Sequence, residues 1–152
     1  MKAVSGCLNV TVDPVTVRPV SAGDAYFGIA ETLLPGARVL VGPTEASGTA
    51  LALVAGHILE CLLKAGLSAS GVSDKELKRL RHGLRELWRQ AAKHGCVSSQ
   101  PMPSWAERLA ALHDAPYPLR YPVGLNGLIL PGAHPMLTEL SELHESVRRR
   151  RE

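Results

Sequence analysis

The strongest constraint on this chain is the run ALALVAGHILECLL, residues 50–63. A helix that is apolar around most of its circumference has to be enclosed by others, so the stretch from Pro43–Ser47 to Gly66 is expected to be the central helix of a bundle. Three polar side chains interrupt it. His57, Glu60 and Lys64 are spaced i, i+3, i+7 and fall within about 60° of arc, which makes them one stripe. Two readings stand side by side. Glu60 and Lys64 are in the favourable i, i+4 order for a solvent-facing pair worth a few tenths of a kcal/mol. The same stripe also suits a polar seam facing a partner helix or a shallow cleft. A metal site on His57 and Glu60 lacks a third ligand at a recognisable spacing, so no metal and no cofactor are expected.

The run from Ala50 to Leu63 reads as too short and too polar to span a membrane. The first residues carry one lysine and no clean apolar core of a signal peptide. Three cysteines without a C-x-x-C pattern fit a reducing compartment, and a cytoplasmic location is expected. Cys61, mid-helix among apolar neighbours, is expected to be an inert core thiol. With 152 residues the chain suits one domain. One Phe, two Trp and three Tyr leave the core to Leu, Val and Ala.

Residues 1–20 alternate apolar and polar around Asp13–Pro14 and suggest a short extended arm or hairpin. Residues 21–152 read as helices. The first is capped by Ser21, with Asp24 three residues on, and is expected to end at Pro35–Gly36. SDKELKRLRHGLRELWRQAAKHG begins with a capping box at Ser73 and Glu76. Either one helix follows, with His82 turned away from its apolar face, or Gly83 breaks it. From Ser73 to Gly95 there are seven Lys/Arg against three Asp/Glu. That face is either solvated surface or a phosphate-contacting surface, which needs only cation density. The scarcity of aromatics argues against a base-stacking platform. Ser104 and Glu107 form a second expected capping box. YPLRYPVGLNGLILPGAHP is expected to be a structured loop or a hairpin turning at Asn126–Gly127. The last helix starts near His134–Pro135 and ends in Arg148–Arg151, either a floppy charged tail, which is the default, or a second phosphate contact.

Other motifs of catalysis are lacking. Residues 144–148 read H-E-x-x-R where zinc proteases need H-E-x-x-H, and His94 with Cys96 has no partner pair. No glycine-rich phosphate loop and no G-x-S-x-G occur. Arg120 is unusual, because Pro118 and Pro122 stiffen the backbone on either side of it.

Three segments, AGHILECLLKAGL, LKRLRHGLRELWRQA and YPLRYP, occur in this order and together resemble the HEPN superfamily of nucleotide-binding helical domains, in the bacterial form that carries an "RYP" segment. The likeness covers about residues 43–150. It implies an all-α, four- to five-helix up-and-down bundle, usually a homodimer, with the polar seam or the last helix as the dimer contact. It implies association with RNA or a nucleotide, in a defence or toxin–antitoxin setting with an antitoxin or nucleotidyltransferase as partner. Family nucleases are similar in using R-x4–6-H. Here Arg120 is followed by Asn126, and His134 comes only after thirteen residues. The family's "HD" is His82–Gly83. The resemblance therefore implies at most a metal-independent endoribonuclease with degraded or absent activity. Arg120 and His134 are the candidate catalytic residues. His57, Glu60, Lys64, His82, Arg120 and Tyr121 are the candidate ligand-binding set. The rival class is a dimeric helical interaction module with no ligand.

Overall fold

The computed structural model describes residues 20–42, 45–98, 101–121, 123–124 and 126–152. The expected arm over residues 1–20 lies, but for Val20, outside them. The described residues form six helices and no strand: α1 Ala22–Val39, α2 Glu45–Ala69, α3 Asp74–Arg79, α4 Leu84–Lys93, α5 Ser104–His113 and α6 Ala133–Arg151. The all-α class holds. The helix count exceeds the expected four to five because the third stretch divides in two.

α2 is the axis, and all five other helices pack on it. Every residue from 58 to 67 is buried, as an all-round apolar helix requires. α2 starts within the expected window and runs three residues past the expected end at Gly66, to Ala69. Ser47–Ala69 would be long and apolar enough to cross a membrane, but most of it is buried by the neighbouring helices, as in the core helix of a bundle. α1 runs antiparallel beside it. Gly23, near the start of α1, lies so close to Ser68, near the end of α2, that a Cβ there would come within 2.5 Å of its Oγ.

α1 does not stop at Pro35. It continues to Val39, and Ala37, two residues past the proline, is fully buried. Burial of that last turn outweighs the hydrogen bond that proline cannot donate. The third stretch breaks after Leu80. Arg81 takes a left-handed conformation, φ 52°, and Gly83 becomes the N-cap of α4. The capping box at Ser73–Glu76 is formed. The one expected at Ser104–Glu107 is not: Pro103 is the N-cap of α5 and no side chain caps it. The segment between α5 and α6 has no hairpin among its described residues. The terminal arginines are no loose tail. α6 stays helical to Arg151, where Arg148 pairs with Glu31 at 2.9 Å, Arg150 donates to the Gly95 carbonyl and Arg151 pairs with Asp24.

Candidate functional site

The α2 stripe does not face water. Glu60 and Lys64 are each only 3% exposed, which removes the solvent-facing reading. Glu60 is the centre of a cluster drawn from three places in the chain. Its Oε1 accepts from Lys64 Nζ at 2.7 Å and lies 2.9 Å from His82 Nδ1. Its Oε2 lies 3.2 Å from His113 Nε2 and 4.0 Å from His57 Nδ1. Tyr26 of α1 completes the enclosure, its ring 5.0 Å from the Lys64 ammonium.

Local structure explains each placement. His82 reaches Glu60 because α3 ends and the left-handed Arg81 turns the chain before α4 starts. An unbroken helix would have turned it outward. His113 is the last residue of α5 and continues the buried face of Ala106, Leu109 and Ala110. It fits because α2 has no side chain opposite. A Cβ on Gly56 would sit 2.6 Å from His113 Nδ1.

The next residue, Asp114, does separate work. Gly83 offers α4 no side-chain cap, and Asp114 supplies one from outside. Its Oδ1 accepts from Leu84 N at 2.6 Å and its Oδ2 from Arg85 N at 3.2 Å. Free helix N–H groups are thereby satisfied next to the His82 turn.

Burial pushes the Glu60 carboxyl up, but hydrogen bonds from His113, Lys64 and His82 and the Lys64 charge outweigh it and hold it at about 2. Glu60 is thus a carboxylate at neutral pH and only accepts. His82 Nδ1 and His113 Nε2 must then carry the protons facing it. In neutral His82 this leaves Nε2 as the acceptor, on a ring that is 56% exposed. A carboxylate that fixes the tautomer of an accessible imidazole orients a general base, and only when the ring is protonated does Nε2 become a donor to a phosphate oxygen. His57, 47% exposed, forms the other side of this rim, and its Nε2 lies 3.9 Å from Cys61 Sγ. Cys61 itself is no nucleophile, since burial first and the Glu60 charge second push its thiol up to about 12.

The structure therefore brings His57, Glu60, Lys64 and His82 together and adds His113. Sequence reading missed His113. Its one signal was a histidine on the apolar face of α5, a pattern that more often means packing. Arg120 and Tyr121 stand on the loop after α5, seven and eight residues beyond His113. Arg120 is exposed, lies 5.9 Å from the Tyr117 ring centroid and forms no ion pair among the described residues. His134 is elsewhere. It lines a pocket of about 310 Å³ with Arg38, Thr138 and Ser141, and Arg120 is not part of that lining. Within one chain, the spaced Arg120–His134 pair does not share this pocket. Among the described residues no three His, Cys, Asp or Glu side chains are grouped to hold a metal ion.

No protein-family model, no curated protein and no solved structure matches this chain.

Proposed function

We propose that this bundle is a HEPN-like module associated with RNA or a nucleotide, of defence or toxin–antitoxin type, that receives a phosphate at the His57–His82 rim and has weak or no RNase activity. The observation that carries this reading is the tether of His82 Nδ1 to the buried Glu60, which leaves the other face of an accessible ring for a ligand. Charge supports it too. One carboxylate serves one ammonium and three imidazoles, so protonation of any ring makes the cluster cationic. Arg120, without an ion pair among the described residues and on the loop that follows His113, is the natural second phosphate ligand, since a guanidinium matches phosphate oxygens in a bidentate way. The displaced His134 supports weak activity, because a general acid–base pair has to reach one scissile bond.

Fluorescence anisotropy with a labelled oligoribonucleotide at low salt tests this. Binding is expected, together with at least a tenfold loss in His57→Ala/His82→Ala and a smaller loss in Arg120→Ala. Absence of binding even at 20 mM salt, on the order of the lowest ionic strengths used for such measurements, removes the reading. Any RNA decay has to vanish in Arg120→Ala. Decay that persists comes from a contaminant.

A further inference from the structure

The cations of the chain fall into two populations. Arg85 pairs with Glu107, Arg89 with Glu86, Arg148 with Glu31 and Arg151 with Asp24. Arg38 donates to the Ser141 hydroxyl. Lys93, Arg108, Arg120 and Arg149 have no such partner among the described residues but do not line a common depression with one another, whereas Lys75, Lys78, Arg79 and Arg81 do. All four are exposed, and among the described residues none has an ion pair within 4.0 Å or a side-chain hydrogen bond. They line one surface depression of about 780 Å³, where Asp74 is the single carboxylate.

Lys75, Lys78 and Arg79 are spaced i, i+3, i+4 and share a face of α3, so they repel one another. The C-terminal end of the helix dipole offsets part of this for Lys78 and Arg79. The nearby glutamate gives little relief, because Glu76 is turned to Ser73 in the capping box. Asp74 and the charge of Glu76 offset part of the repulsion, and the face keeps a net positive charge that anions from outside can neutralise. It also adjoins the candidate site along the chain. Arg81 belongs to the depression, and the next residue, His82, is bonded to Glu60. A mononucleotide can occupy the rim alone. Only a ligand with phosphates in series can occupy the rim and the α3 face at once.

We infer that α3 is a docking face for the phosphate backbone of a single nucleic-acid strand several phosphates long, whose leading phosphate sits at the His57–His82 rim. This rests on the phosphate reading of that rim. Recognition is by charge and tolerant of sequence, since four flexible cations read phosphates and not base edges.

The test compares a fluorescein-labelled uridine 12-mer, uridine 5′-monophosphate and poly-L-glutamate on the full chain across a salt series. The 12-mer is expected to bind at least tenfold more tightly than the monophosphate. In Lys75→Gln/Lys78→Gln/Arg79→Gln/Arg81→Gln the slope of log affinity against log salt is expected to fall by about 3, from roughly 0.7 per single-strand phosphate contact. Lys75→Gln/Lys78→Gln, at two exposed positions that cannot unfold the bundle, is expected to remove about half of that, and Lys75→Arg/Lys78→Arg none. An unchanged slope in both glutamine variants overturns the inference. So does a monophosphate that binds as tightly as the 12-mer, although the rim reading then stands. Poly-L-glutamate competing as well as the 12-mer makes α3 an acidic-protein surface and also overturns it. If neither nucleotide ligand binds, both readings fall together.

Discussion

His113 and His144 are both buried histidines set against carboxylates, and they are held in opposite ways. His113 closes to 3.2 Å on Glu60, a residue of another helix whose other oxygen is shared by Lys64 and His82. His144 lies between α6 and α1 with its Nδ1 3.2 Å from its chain neighbour Glu145. Its Nε2 stops 4.0 Å from Glu31 and has no hydrogen-bond partner. What fixes His144 is packing: its ring stacks on Phe27 at 4.9 Å with 12° between the planes. The first region is a polar constellation that needs each member. The second is mainly a ring stack, with one hydrogen bond to a chain neighbour and one unpartnered nitrogen. Burial of a histidine therefore says little by itself; the origin of its partners says more.

The largest expected break in this contrast is Glu60→Ala. It leaves the Lys64 ammonium buried without a counter-ion, and chemical denaturation should show a loss of about 3–5 kcal/mol. The pH dependence should be nearly as large. The Glu60 pKa is depressed from 4.5 to about 2 on folding, so its contribution is fully present above about pH 4.5 and is lost as pH falls toward 2. The shift corresponds to about 3 kcal/mol, and acid titration of stability in Glu60→Gln should lack this component. Gly56→Ala comes next. Its new methyl meets the His113 ring at 2.6 Å, and a loss of about 1–3 kcal/mol is expected by thermal melting. If stability is unchanged, His113 is not wedged as described. The smallest effect belongs to His144→Phe. The stack on Phe27 survives, an orphan nitrogen disappears and one half-exposed hydrogen bond to Glu145 is lost, so stability should stay within about 1 kcal/mol of the wild type. A large loss there would erase the distinction between the two histidines.

Much of this was legible in the chain. The apolar circumference of residues 50–63 identified the central helix, and the spacing of His57, Glu60 and Lys64 identified the stripe. Where the stripe faced was not legible, because a short-range pattern cannot tell solvent from a partner 22 or 53 residues away. His82 depended on one backbone torsion at Arg81, a non-glycine residue in a region that sequence rules assign to glycine or asparagine. The helix over Pro35 escaped because tertiary burial of Ala37 overrode a local stop signal. The false capping box at Ser104 shows the reverse: the right residue types at the right spacing, with Pro103 one position earlier taking the cap.

The consecutive residues His113 and Asp114 also set an order of assembly. One closes on Glu60 across 53 residues and the other on Leu84 across 30. A chain growing from its N-terminus makes α2 with the Glu60–Lys64 pair, and later α4 with an uncapped start, before either closing residue exists. Both ring closures are then long-range steps that wait on the same two residues of α5. The cover of the Glu60–Lys64 pair and the cap of α4 therefore depend on one short stretch of chain. A chain ending before residue 113 lacks both the ring that closes on Glu60 and the carboxylate that caps α4.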